Sequence, residues 1–158
     1  MQKETYLKDI INNYSDMVYK VALTRCGNVE NAEDVFQNVF MKLSEKMPKF
    51  KSEEHKKAWL IRVTINFSKN MNMSAWNRKV VTLDENMEFE SIEESDVFSV
   101  VCDLPQNYRT VIYLYYYEGY KVEEIAKLMS STSGTIKTWL YRAREILKTK
   151  LEGGFENE

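Results

Sequence analysis

Glycine and proline are scarce in this 158-residue chain, at five and two. So few turn-formers and helix-breakers favour helix throughout, and no apolar–polar alternation runs long enough to claim a strand. The two cysteines, Cys26 and Cys102, have no CxxC spacing, and His55 is the single histidine. That argues against a metal site or a bound cofactor, and the thiols are expected to be reduced core residues of a cytosolic protein. The charged start MQKETYLKDI lacks the apolar block of a signal peptide, and no run approaches membrane-spanning length. The expectation is a cytoplasmic chain without membrane insertion. A Gly-rich phosphate loop is missing too, which leaves little to build an enzyme on.

Net charge is also small, −2, and at first sight disfavours nucleic acid. Its distribution reverses that impression. Residues 1–50 balance, with 7 basic and 7 acidic groups, and residues 51–81 carry 7 basic and 2 acidic, or +5. Residues 82–103 carry 8 acidic and no basic groups, residues 121–151 give +4, and residues 152–158 give −3. Two basic blocks are separated by one acidic segment, the footprint of a nucleic-acid binder whose average charge hides the signal.

The strongest pattern is 121–151, KVEEIAKLMSSTSGTIKTWLYRAREILKTKL. Val122, Ile125, Ala126 and Met129 recur at helical spacing and stop at four small polar residues, 130–133. Ile136, Leu140, Ala143 and Leu147 then fall within about 60° of arc on a second helix. Opposite them lie Thr138, Tyr141 and Glu145, flanked by Thr135 and Arg142 on one side and Lys137, Arg144 and Lys148 on the other. Thr132 is the expected N-cap. A first turn free of carboxylates leaves N–H groups and the positive dipole end open to a phosphate. Ala126, ten residues before Ile136, is small enough to let the helices cross closely. An αα-corner would account for the helices alone; the cationic outer face predicts a helix-turn-helix. Its early outward residues, Ser133, Lys137, Thr138 and Tyr141, are placed to meet base edges, with Lys137 foremost for guanine, and Arg142, Arg144 and Lys148 to meet phosphates.

Earlier in the chain, Leu7, Ile10, Ile11, Tyr14, Val18, Val21 and Ala22 make a first amphipathic helix that closes near Gly27. Asn31 is the expected cap of the next, which buries Ala32, Val35, Phe36, Val39, Phe40, Leu43 and Met47 before Pro48. Glu33, Asp34, Gln37, Asn38 and Lys42 make its other side, which by itself reads as a solvated face. A third helix follows the charged KSEEHKK, with Trp59, Leu60, Val63 and Phe67 as core. Arg62, Asn66, Lys69, Asn70, Trp76, Arg78 and Lys79 remain outside. Cations, amides and an exposed aromatic suit single-stranded nucleic acid, with Trp76 rather than Trp59 as the stacking platform. From Val81 the pattern lapses into an acidic connector, with a short helix expected near Ile92–Val101. Leu104, Tyr108, Val111, Ile112 and Tyr115 then form one face of a bracing helix that Gly119 ends.

NAEDVFQNVFMKL, AWLIRVTIN and LPQNYRTVIYLYYYEGYKVEEIAKLM…TIKTWLYRARE, in that order, resemble the extracytoplasmic-function sigma factors. These are minimal bacterial initiation factors with region 2 and region 4 only. The resemblance covers about residues 5–79 and 100–151. It implies an all-α fold of two helical domains: region 2 at 1–80, an acidic linker at 81–103 and region 4 at 104–152. It further implies that Asp34, Gln37, Asn38 and Phe40 dock on the β′ clamp helices of core RNA polymerase. Arg62, Asn66, Lys69, Asn70, Trp76, Arg78 and Lys79 would melt and read the −10 element. Thr132, Ser133, Thr135, Lys137, Thr138, Tyr141, Arg142, Arg144 and Lys148 would meet the −35 duplex, and region 4 would also engage the β flap. An anti-sigma partner is common in the family, and nothing in this sequence identifies one. The chain departs from the family pattern at Ile65, Asn70, Ser130, Ser131 and Trp139.

Two readings follow. One is a polymerase-bound initiation factor; the other is a stand-alone helix-turn-helix regulator binding an operator as a dimer. The second would use the C-terminal half equally well and leave the Asp34/Gln37 face and the basic Trp-containing helix without a role.

Overall fold

The computed structural model describes residues 2–69 and 101–156, with side chains to Glu152 in the second stretch. The chain divides into two compact units, Met1–Thr82 and Leu83–Glu158. Among the described residues all regular structure is helical, as an all-α chain requires. Asn70, Trp76, Arg78, Lys79 and the acidic connector up to residue 100, with most of its expected short helix, lie outside the described residues.

The first unit holds α1 (Gln2–Cys26), α2 (Val29–Lys46) and α3 (Glu53–Lys69), each packed on the other two. Ala32, Val35, Val39 and Leu43 form the inner stripe of α2 at 0 % exposure, and meet Val18, Val21 and Ala22 of α1 and Leu60, Ile61 and Ile65 of α3 in one core. Each buried Leu or Ile contributes roughly 1.5–3 kcal/mol. Gly27 ends α1 at φ 78°, its N–H on the Leu23 carbonyl at 2.8 Å. Met47 ends α2 in the same left-handed way, at φ 41° with a 2.8 Å bond to Leu43, before Pro48. One buried charge belongs to this core: Arg25, 1 % exposed, donates from Nε to Ser68 Oγ at 2.8 Å, and Ser68 donates on to the Ile65 carbonyl.

Several expectations are corrected here. The cap of α2 is Asn28, not Asn31; its extended backbone turns its side chain to accept from the Asn31 N–H at 2.8 Å, so the helix starts earlier. Helix α3 starts inside the charged run, at Glu53, because Ser52 Oγ accepts from the His55 N–H at 3.0 Å. Its buried face is Leu60, Ile61, Val63, Thr64, Ile65 and Ser68, a broad arc because α1 and α2 both cover it. Trp59 and Phe67 are only half-buried; Trp59 meets Phe50 edge-on at 5.6 Å, and Phe67 lies under the Lys42 ammonium at 5.8 Å. On α1 Ile11 is 39 % exposed, and Phe36, Phe40 and Met47 of α2 are half-buried.

The second unit is built from α4 (Gln106–Ile112), which continues as a π-helical turn (Tyr113–Tyr117), α5 (Val122–Leu128) and α6 (Ser133–Glu156). Pro105 precedes α4, where a missing N–H costs nothing. The buried Arg109 guanidinium reaches back to the Leu104 carbonyl at 2.7 Å and pins the start of the helix. Burial pushes the nearby Cys102 thiol up, against the pull of Arg109. Cys26 is buried and Cys102 only partly so, and neither is in a disulfide.

The bracing helix was expected to be one uninterrupted α-helix. Instead the Glu118 N–H bonds the Tyr113 carbonyl, an i→i+5 closure at 3.2 Å that adds one residue to the turn. The extra residue rotates the stripe. Tyr113 and Leu114 are buried, Tyr115 is half-buried, and Tyr116 and Tyr117 are 55 % and 41 % exposed. Gly119, at φ 75°, makes the bend into α5.

Candidate functional site

Helix α6 is held by its inner stripe. Ile136, Leu140 and Ala143 are at most 2 % exposed, and α4 and α5 both pack on this helix. Ala126 of α5 is buried as a close crossing requires, and Leu128 joins Ile125 and Met129 in that seam. Leu147, expected on the buried stripe, is only half-buried. Thr132 caps α6 as expected, its Oγ1 accepting from the Thr135 N–H at 3.1 Å while its hydroxyl donates to Thr135 Oγ1 at 2.9 Å. The corner before it is tight: Ser130 has φ 53°, and the Ser131 N–H closes on the Ala126 carbonyl at 2.8 Å.

The outer face of α6 carries Lys137, Thr138, Tyr141, Arg142, Arg144 and Lys148, all exposed, with Tyr141 at 62 %. Thr132 is exposed as well, while Ser133 and Thr135 are half-buried at the first turn. The Thr138 hydroxyl turns back to the Gly134 carbonyl at 3.0 Å. Lys137, Tyr141, Arg144 and Lys148 share one stripe about 60° wide at 100° per residue. The first turn of α6 contains no acidic residue. A positive dipole end, capped by neutral hydroxyls and followed by a cationic stripe, is suited to an anionic polymer.

On α3, Arg62, Asn66 and Lys69 are exposed and lie opposite the core, at i, i+4 and i+7. On α2, Asp34, Gln37 and Asn38 are exposed, but Phe40 is turned inward, its ring 4.9 Å from Phe36. The sequence reading missed a neighbour on that stripe. Met41 is 60 % exposed beside Gln37 and Asn38, and its spacing from Asp34, seven residues on, was the available signal. Among the described residues no group of His, Cys, Asp and Glu is arranged to hold a metal ion, and no helix is long and apolar enough to cross a membrane.

Comparison with known proteins follows the same division. Residues 10–78 match the family model of sigma-70 region 2, and residues 99–147 match that of sigma-70, region 4. The RNA polymerase sigma factor SigV of Bacillus subtilis (strain 168) is 28% identical over 152 residues, 89% of this chain and 88% of SigV. The ECF RNA polymerase sigma-E factor of Haemophilus influenzae is 27% identical over 163 residues, 90% of this chain and 86% of that protein. Two solved structures share the fold. The sigma factor RpoE from Bartonella quintana, in complex with the anti-sigma factor NepR, has a TM-score of 0.69 at 22% identity, over 92% of this chain and 96% of that one. CnrH, in complex with the cytosolic domain of CnrY, has a TM-score of 0.65 at 20% identity, over 93% of this chain and 88% of that one. A stand-alone operator-binding regulator would need only the region 4 half. With both regions present in order, and relatives that share nearly the whole span, the chain belongs to the sigma-70 family, as an extracytoplasmic-function RNA polymerase sigma factor.

Proposed function

We propose that promoter-specific initiation by this sigma factor is divided among three surfaces. The exposed stripe of α2, Asp34, Gln37, Asn38 and Met41, docks on the β′ clamp helices of core polymerase. The α3 stripe of Arg62, Asn66 and Lys69, continued by Asn70, Trp76, Arg78 and Lys79, takes the melted −10 strand. The outer face of α6 takes the −35 duplex, with Thr132, Ser133, Thr135, Lys137, Thr138 and Tyr141 towards base edges and Arg142, Arg144 and Lys148 towards phosphates. Region 2 occupies 1–80 and region 4 occupies 104–152, joined by the acidic linker 81–103. The site of action is the cytoplasm.

The observation that carries the reading is the cationic stripe of α6, presented on a helix whose opposite stripe is fixed in the core of its unit. A helix locked in this way can offer the same side chains to every duplex it meets. RpoE and CnrH were each solved with a protein partner, which supports an anti-sigma partner for this chain as well. Run-off transcription with core polymerase on a promoter pool, followed by sequencing of the transcribed templates, tests the division. Enriched templates should share a −35 and a −10 sequence at fixed spacing. Templates sharing only one element would leave one of the two DNA surfaces without its assigned role.

A further inference from the structure

Among the described residues, Arg144 is the one cation of the α6 stripe that is held by a side chain of its own unit. Its Nε donates to the Tyr116 hydroxyl at 2.7 Å. Its Cζ lies 5.4 Å from the centre of the Tyr115 ring and 5.6 Å from that of Tyr116. Both distances are within cation–π range. Two adjacent side chains reach the same guanidinium because a π-helical turn, with more residues per turn, sets successive side chains closer in angle than an α-helix does. The Tyr115 and Tyr116 ring centres lie 4.9 Å apart, with Tyr115 half-buried and Tyr116 55 % exposed. An arginine has a long, rotamer-rich side chain, and fixing it in place on binding is unfavourable. Here the Tyr116 bond and the two ring contacts already favour one arrangement of that side chain before any ligand arrives. The bond uses Nε, and among the described residues the terminal nitrogens of the exposed Arg144 have no protein acceptor, so they remain able to donate to an anion. The Tyr116 oxygen accepts from Arg144, so its own proton remains available to donate outward.

We propose that Tyr115 and Tyr116 form a positioning clamp that orients Arg144 towards one phosphate of the −35 duplex, with the Tyr116 hydroxyl as a second donor to the same group. This rests on the assignment of the α6 face to DNA. Lys137, Tyr141 and Lys148 lie exposed on the same stripe, so Arg144 meets the anion that the whole face takes, and the holoenzyme-assembly readout separates a phosphodiester from an acidic protein surface. Tyr116 is a positioning residue. Its removal takes away no charge, so its effect separates from that of a cation.

The test uses holoenzyme assembled from the full-length chain and core polymerase, binding a labelled promoter duplex across a salt series. Arg144→Ala should weaken binding and lower the salt slope by about one unit. Tyr116→Phe keeps the ring and every charge; it should weaken binding about three- to tenfold with the slope unchanged. Arg144→Lys should also weaken binding at unchanged slope, since an ammonium cannot keep the Nε bond while facing outward. The double variant Tyr116→Phe/Arg144→Ala should lose less than the product of the two single losses. Wild-type binding by Tyr116→Phe and Arg144→Lys overturns the clamp, as does a strictly multiplicative double variant. Loss of holoenzyme assembly in place of DNA binding assigns the pair to a protein contact and also overturns it. Lys137→Ala is the control for the underlying assignment. If it too leaves DNA binding unchanged, the α6 face is not the DNA surface; if it alone weakens binding, only the clamp falls.

Discussion

At the scale of single residues, the helix-turn-helix corner and the α2 stripe make the sharpest demands. Ser130 holds a left-handed backbone at φ 53°, a conformation that glycine adopts without strain. A side chain there costs about 1–2 kcal/mol of strain, and glycine would return roughly 0.4–1 kcal/mol of that as unfolded-state entropy. Ser130→Gly is therefore expected to stabilise the second unit by about 0.5–1 kcal/mol, read as a raised urea midpoint at constant m. On α2, Met41 is 60 % exposed in the middle of a polar stripe. An unbranched thioether is well suited to filling a partner's apolar pocket. Met41→Ala and Asp34→Ala should each weaken core-polymerase binding by about 1.5–3 kcal/mol while leaving the melting temperature unchanged. If polymerase affinity is the same in both variants, the α2 stripe is not the docking surface.

At the scale of elements, helix existence was legible in the sequence, whereas the starts of α2 and α3 were not. Apolar spacing located α1, α2 and α6, and Gly27 and Thr132 marked a stop and a start through chemistry that only a few residue types perform. The start of α2 was misplaced because two asparagines three residues apart, Asn28 and Asn31, are equivalent as letters; only the extended backbone of Asn28 makes it the cap. The start of α3 was hidden because a charged run looks solvated whether or not it is helical. The breadth of the α3 core face, and the exposure of Ile11, depend on which neighbours cover each face, a tertiary fact with no local signature. Of the surfaces assigned to binding, exposure was readable from position opposite the core stripe, and Phe40, which its spacing had already placed on the core side, packs on Phe36 rather than joining the exposed stripe.

Two tyrosines also fasten α1 to the chain before and within α3. The Tyr6 hydroxyl donates to the Pro48 carbonyl at 2.6 Å, and the Tyr14 hydroxyl donates to the Glu53 carboxylate. Burial, then the Glu53 bond, raises Tyr14 to about 12, while the Tyr14 bond, followed by Lys56, lowers Glu53. The lowered carboxylate contributes stability that is complete above its ordinary value and fades as pH falls through the folded one. The raised phenol contributes stability that is complete below 10.0 and fades as pH rises through about 12. The stability difference between wild type and Tyr14→Phe should therefore be flat at neutral pH and shrink at both extremes. A difference that grows towards alkaline pH would rule out the bond as the link between α1 and α3.

At the scale of the whole molecule, charge is sorted along the chain more strongly than its total of −2 suggests. The two surfaces proposed to take DNA fall in segments of +5 and +4, and residues 82–103 between them carry eight carboxylates and no basic residue. An acidic connector tethered to both surfaces competes with phosphate for the same cations whenever polymerase does not hold it elsewhere. The free chain should accordingly bind promoter duplex weakly. Replacing the eight carboxylates by amides should raise free-chain binding, most clearly at about 50 mM salt, where screening reaches least far. Equal binding by the amide variant under that condition would remove masking as the explanation of weak binding.

The π-helical turn also bears on how this chain should be aligned with others. Its extra residue falls in a run of three tyrosines, Tyr115 to Tyr117, so a gap could slide across the run without changing any matched letter. Hydrogen bonding, not identity, decides where that gap belongs: between the Tyr113 carbonyl and the Glu118 amide. A homologue one codon shorter between Pro105 and Gly119 would close the same span with an ordinary α-turn. It would present a single aromatic, or none, to the position of Arg144. On the clamp proposal, that position in such homologues should vary to lysine or glutamine, whereas chains that keep the longer turn should keep arginine.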